Sequence, residues 1–194
     1  MPVSRFFALR SPIALILFLA TTVGGLAVDQ WAKSAAFSRL CDGVVITDDG
    51  HAQVLNPSTE RFIPGWLHFT AVANQGAVFG IGQGHRLLFI AVSIAAIIFI
   101  GYLFSISGRQ RFYQVVLGML MAGVLGNLYD RVTRGYVRDM VHALPHKFIF
   151  GYPAFPWIFN VADSLLCAGV ALMLLHSFFT PTHAPGADAK AVRR

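Results

Sequence analysis

The stretch FNVADSLLCAGVALMLLHSFF, Phe159–Phe179, decides the fold. It has the length and apolar content of a membrane span, which takes ~20 mostly apolar residues. Yet its first two turns carry Asn160 and Asp163. A carboxylate in hydrocarbon costs roughly 2.5–3.5 kcal/mol at mid-helix on insertion scales, and less near the interface. Asn160, Asp163 and Ser164 share one helical face. A polar face at that depth needs partners inside the protein.

Working outward, the rest of the chain also reads as membrane protein. Its 194 residues are 56% hydrophobic and 12% charged, too apolar for an ordinary soluble domain. Leu87–Ile106 and Phe112–Tyr129 contain no formal charge. Ser11–Val28 is a further apolar run, preceded by Arg5 and Arg10 as a signal peptide would be. It is long for the apolar core of a signal peptide and lacks a clean small-x-small cleavage site, so it reads as a retained helix. The fold expected is an all-α membrane protein, a four-helix transmembrane bundle forming one domain over 1–180. The spans fall at about 11–28, 87–106, 112–129 and 159–179, and 181–194 reads as a disordered basic tail. An extracytoplasmic segment at about 40–80 contains VVITDDGHAQVL, two strand-like runs around a turn, and WLHFTAVAN, rich in strand formers. FIFGYPAFPWIF, before the last span, is dense in aromatics and suits the headgroup zone.

Charge sets the expected orientation. Arg5, Arg10, Arg109, Arg111, Lys190, Arg193 and Arg194 lie in the tails and the tight second-to-third turn, which places both termini in the cytoplasm by the positive-inside rule. Four of the nine acidic residues, Asp29, Asp130, Asp139 and Asp163, then gather at the extracytoplasmic face. A layer of acids at one depth, without an internal repeat, argues against a transport pathway. The net charge of +6 contains no run dense enough for nucleic acid. Cys41 and Cys167 lie in a loop and a span and indicate no disulfide framework. His68, His85, His142, His146 and His176 form no metal-ligand pattern, and there is no HExxH motif, so neither metal nor cofactor is expected.

The polar clusters each have a plain structural reading. Asn127, Asp130 and Arg131 share a face at a helix end, where Asp130 and Arg131 read as a solvated pair. Asp139, amid Val137, Met140 and Val141, reads as a loop acid. Asp29 and Lys33 have the spacing of a helical ion pair. Asn74 and Gly76 read as a turn. No Ser–Lys, Ser–His or phosphate-loop arrangement is present, which leaves paired carboxylates. Two aspartates at a partly desolvated site share a proton. The ionised member can draw a proton from an attacking water while the protonated one polarises a carbonyl, as in aspartic proteases.

DQWAK (29–33), NQGAVFG (74–80), GNLYDR (126–131), GYVRD (135–139) and FNVADS (159–164), in this order, resemble the lipoprotein signal peptidase family, signal peptidase II, over Ser11 to about Phe179. The resemblance implies an intramembrane aspartyl protease of the bacterial cytoplasmic membrane. It would cut diacylglyceryl-modified prolipoproteins just before the lipidated cysteine. By motif position Asp139 and Asp163 would be the catalytic dyad, with Asn127, Asp130, Arg131 and Asn160 lining or bracing it. Asp29 and Lys33 would support it from the first helix, and Asn74 and Gly76 would belong to the part covering the substrate. The family fold implied is a four-helix bundle with a small β-cradle and a short interfacial helix. The partners implied are prolipoprotein substrates, membrane lipids and globomycin-type inhibitors, and the chain is expected to act as a monomer. Two features depart from the pattern: Met140 stands where an aromatic usually follows the dyad acid, and Arg39–Phe62 is longer than usual. The competing readings are a proton-coupled transporter and a non-enzymatic membrane assembly subunit.

Overall fold

The computed structural model describes residues 7–76, 84–145 and 147–179. Four long helices dominate: α2 (Pro12–Leu40), α3 (Arg86–Ile106), α4 (Arg111–Arg134) and α5 (Val161–Phe179), with a single turn, α1 (Phe7–Arg10), ahead of them. Each of the four is long and apolar enough to cross a membrane. Ser11 caps α2, its hydroxyl accepting from the Ala14 N–H at 3.4 Å, and Pro12 occupies the first helical position. The helix does not end near Val28 as expected but runs on to Leu40. Residues 29–40 contain neither Gly nor Pro and are rich in Ala, Leu, Lys and Arg, so nothing local stops it. Likewise α4 continues past Tyr129 to Arg134 and stops where Gly135 takes φ 85°, the left-handed conformation that ends helices.

α4 is the central helix and packs on α2, α3 and α5. Phe18 of α2 stacks on Phe104 of α3 with ring centroids 4.2 Å apart, and Ile100, Leu117 and Leu120 complete this core. Close approach depends on small residues of α4, as in membrane helix packing generally. A Cβ at Gly123 would lie 2.6 Å from the Ala162 carbonyl oxygen, and one at Gly126 would lie 2.5 Å from Asp29 Oδ2. The outer surfaces expose Ile98, Phe99, Val170 and Leu174, apolar residues for which lipid is the fitting solvent.

Three antiparallel sheets accompany the helices. β1 (Gly43–Ile46) and β2 (Ala52–Leu55) form the hairpin expected around the DDG turn. β3 (Thr59–Ile63), β4 (Leu67–Asn74), β5 (Val137–Ala143) and β8 (Ile158–Phe159) form a four-stranded sheet in that order. β6 (Phe148–Ile149) and β7 (Tyr152–Pro153) make a short hairpin from the aromatic run. These segments follow α2 and α4, so the sheets lie at one end of the bundle and the α3–α4 turn at the other.

Asp139 is therefore not a loop residue: it sits in β5, in register with Val72 of β4. Residues 41–76 hold strands and turns and no helix, so the short interfacial helix has no counterpart among the described residues there. Residues 77–80 of NQGAVFG, Arg5, His146 and the tail 181–194 with Lys190, Arg193 and Arg194 lie outside the described residues.

Candidate active site

The site begins with how α5 starts. Asn160 precedes its first residue, and its Oδ1 accepts the Asp163 N–H at 3.0 Å. Asp163 Oδ2 accepts the Asn160 N–H at 3.2 Å in return. This is a reciprocal capping box, with an aspartate three residues after the cap. A third acceptor comes from another helix, where Asp29 Oδ1 of α2 takes the Ala162 N–H at 2.8 Å. Carboxylates are favoured at this end of a helix, where its free N–H groups concentrate positive charge.

Strand β5 brings Asp139 to the same place. Its Oδ1 accepts from Asn160 Nδ2 at 2.6 Å and its Oδ2 from Asn74 Nδ2 at 2.9 Å. Asn127 Nδ2 of α4 donates to Asp163 Oδ1 at 2.8 Å, and Asn127 Oδ1 accepts from Asn160 Nδ2 at 3.1 Å. Asn160 thus touches both aspartates, and Asp139 is only 2% exposed. Burial, and then the neighbouring charge of Asp163, push the Asp139 carboxyl up to about 7 against the opposing pull of Asn74, Asn160 and Lys33. Gly76 donates its N–H to Asn74 Oδ1 at 2.9 Å, and its carbonyl accepts from Arg131 Nη2 at 3.0 Å. The Arg131 guanidinium lies 5.2 Å from the centroid of the Phe89 ring.

Beneath this pair lies a second buried cluster. Lys33 Nζ is 2.8 Å from Asp29 Oδ2 and 3.4 Å from Asp130 Oδ2, and it donates to Asn127 Oδ1 at 3.0 Å. The expected solvated Asp130–Arg131 pair does not form. Asp130 is fully buried and binds Arg138 at 2.9 Å, while Arg131 turns to Gly76. Adjacent residues of a helix do not face one another, which is why the two part company. Sequence reasoning missed Arg138, together with Gln30 and Ser34, which accept from its guanidinium at 2.7 and 3.1 Å. The available signal was alternation: in YVRDMV, Arg138 and Asp139 fall on opposite faces of a strand with apolar neighbours, so both are enclosed.

Asp139, Asp163, Asn127 and Arg131 form the polar wall of a cavity of about 630 Å³ between α3, α4, α5 and the sheet. Phe89, Val92, Ala96, Val124, Leu166 and Trp157 are among its apolar walls. No cluster of His, Cys, Asp and Glu among the described residues could hold a metal ion.

The sequence model of the family described as Signal peptidase (SPase) II matches residues 21–179. The chain belongs to the signal peptidase II family. Its members are proteases, and their reaction is the cleavage of prolipoprotein signal peptides. The chain is similar to the lipoprotein signal peptidase of Anaeromyxobacter sp. (strain Fw109-5), 34% identical over 93% of each chain. It is also similar to that of Geobacillus kaustophilus (strain HTA426), 39% identical over 82% of this chain and 91% of the other. Among solved structures it resembles one described as "Bacterial membrane enzyme structure by the in meso method at 2.3 A resolution". The TM-score is 0.64 at 31% identity, over 83% of this chain and 87% of that one. Membership in this bacterial signal peptidase II family, with four apolar helices, is that of an inner-membrane protein.

Proposed function

We propose that this chain is an intramembrane aspartyl endopeptidase with Asp139 and Asp163 as its catalytic pair. It removes the signal peptide from diacylglyceryl-modified prolipoproteins, cutting just before the lipidated cysteine. One observation carries the reading: the Asn160 side chain binds Asp139 and caps α5 at Asp163, so both carboxyls meet on the wall of one apolar cavity. The cavity volume is that of a small-molecule or lipid-chain site.

In this reading the pair carries one shared proton. A water between the carboxyls gives a proton to the ionised member as its oxygen attacks the scissile carbonyl. The protonated member gives its proton to the carbonyl oxygen, forming a tetrahedral diol. Collapse of the diol breaks the C–N bond: the nitrogen of the lipidated cysteine leaves with the proton the first acid took from water, while a diol hydroxyl returns its proton to the other carboxylate. Asn127 and Asn160 orient the two acids, and Asn74, Gly76 and Arg131 frame the approach to them. Asp29, Lys33 and Asp130 brace the start of α5. The site lies near the extracytoplasmic face, the termini are cytoplasmic, and the chain works as a monomer among membrane lipids. A globomycin-type cyclic peptide would compete for the cavity.

The test is a gel-shift cleavage assay with purified protein in bilayers. A diacylglyceryl-modified prolipoprotein should be cut and its unlipidated form left intact, with globomycin blocking the reaction. Folded protein that cuts neither form would overturn the proposal.

A further inference from the structure

Arg138 and Asp139 are consecutive in β5 and therefore point to opposite faces of the strand. Asp139 faces the cavity, and Arg138 faces the buried cluster between α2 and α4. Arg138 is 3% exposed. Its Nε lies 3.1 Å from Asp130 Oδ1 and its Nη2 2.9 Å from the same oxygen. Its backbone N–H also donates to Asp130 Oδ2, at 3.1 Å. Nη2 reaches Gln30 Oε1 at 2.7 Å and Nη1 reaches Ser34 Oγ at 3.1 Å, tying β5 to α2.

The charges of this cluster balance. Asp29 and Asp130 are matched by Lys33 and Arg138, and all four are essentially buried. Lys33 connects the cluster to the aspartate pair through Asn127, which donates to Asp163. Without Arg138 the cluster would carry a net negative charge one hydrogen-bond relay from that pair.

We propose that Arg138 is a positioning residue for the Asp139–Asp163 pair, fixing β5 against α2 and cancelling the Asp130 charge one hydrogen-bond relay away from that pair. This rests on the reading of those aspartates as the catalytic pair. The charged groups facing Asp139 are Asp163 from α5, Lys33 from α2 and Arg131 from α4. Those facing Asp130 are Lys33, Arg138, Arg134 at 3.5 Å and half-exposed, and Arg131, whose guanidinium is turned to Gly76, with Tyr136 beside them. His142 lies further along β5, opposite His68 of β4. None of these replaces the Arg138 fork on Asp130. Lys33 is already shared with Asp29, and Arg134 is partly in solvent.

The experiment follows the infrared band of the protonated carboxyl against pH in purified protein in bilayers, assigned by its loss in Asp139→Asn. The pH–rate profile is recorded alongside. Losing a nearby positive charge favours the protonated acid, so Arg138→Gln should raise the midpoint by about one pH unit. Arg138→Lys keeps the charge and loses the fork, so it should lower kcat about tenfold with the midpoint in place. Asp130→Asn should lower the midpoint, and adding Arg138→Gln to it should bring the midpoint back. That last comparison is net neutral and carries the test if Arg138→Gln alone does not fold. An unchanged midpoint in folded Arg138→Gln, or no difference between Asp130→Asn and the double variant, overturns the proposal. A midpoint that follows Arg138 in a protein that cuts no lipidated substrate would sink the peptidase reading and leave this coupling standing.

Discussion

Two pairs of aspartates lie side by side in this bundle, and they are held in opposite ways. Asp29 and Asp130 are locked to cations, Lys33 and Arg138, at 2.8 and 2.9 Å. Asp139 and Asp163 are held by the amides of Asn74, Asn127 and Asn160, and no salt bridge reaches them among the described residues. A cation against a carboxylate favours one charge state, whereas an amide can donate to an ionised acid and still accommodate a protonated one. The first pair is therefore suited to fixing geometry and the second to exchanging a proton. Helix α5 joins them, since Asp29 binds the Ala162 N–H and Asn160 binds that of Asp163.

The contrast can be broken at either side. Lys33→Met strands Asp29 and Asp130 without their shared cation and should cost roughly 3–5 kcal/mol of stability, read by thermal unfolding in detergent. A loss under 1 kcal/mol would mean the charges are not held as described. On the other side, Asn160→Leu removes the amide from both acids and the cap from α5. Cleavage should fall on the order of 10²-fold, more than stability alone explains. Gly126→Ala pushes a methyl against Asp29 Oδ2 and should lower stability by about 1–3 kcal/mol, which the same unfolding measurement reports. Last, the Asp139 carboxyl is pushed up to about 7, so the pair keeps its proton below that pH and loses it above. The rate with lipidated substrate should fall about tenfold per pH unit on the alkaline side, since only the singly protonated pair reacts. A rate still rising at pH 9 would contradict the sign.

The parts of the molecule legible in the sequence are those set by local pattern. The apolar runs gave the helices, and VVITDDGHAQVL gave a hairpin because turn chemistry and strand formers coincide within a dozen residues. The end of α2 was not legible from hydropathy, because a helix can outlast its apolar stretch when the residues beyond favour helix, as Asp29–Leu40 do. The partner of Asp130 was hidden for another reason. The neighbouring Arg131 reads as its partner in GNLYDR, but the left-handed turn at Gly135 folds β5 back and delivers Arg138 beside Arg134, which is 3.5 Å away. Asp139 reads as a loop acid because the pairing of β5 with β4, which brings the Asn74 side chain from 65 residues earlier, leaves no local trace. FNVADS announced buried polar chemistry at the mouth of a span, but not that Asn160 caps the helix and grips the second acid together.

The most direct test sets the two pairs against each other. Wild type, Asp139→Asn, Asp163→Asn and Asp29→Asn, each shown to be folded, are compared in the lipidated-substrate gel-shift assay. Asp139→Asn and Asp163→Asn should each lose activity by at least about 10³-fold, because an amide can neither take nor give the shared proton. Asp29→Asn should lose stability while keeping measurable cleavage. Normal cutting by either Asp139→Asn or Asp163→Asn would show that the amide-held pair is not the one that does the chemistry.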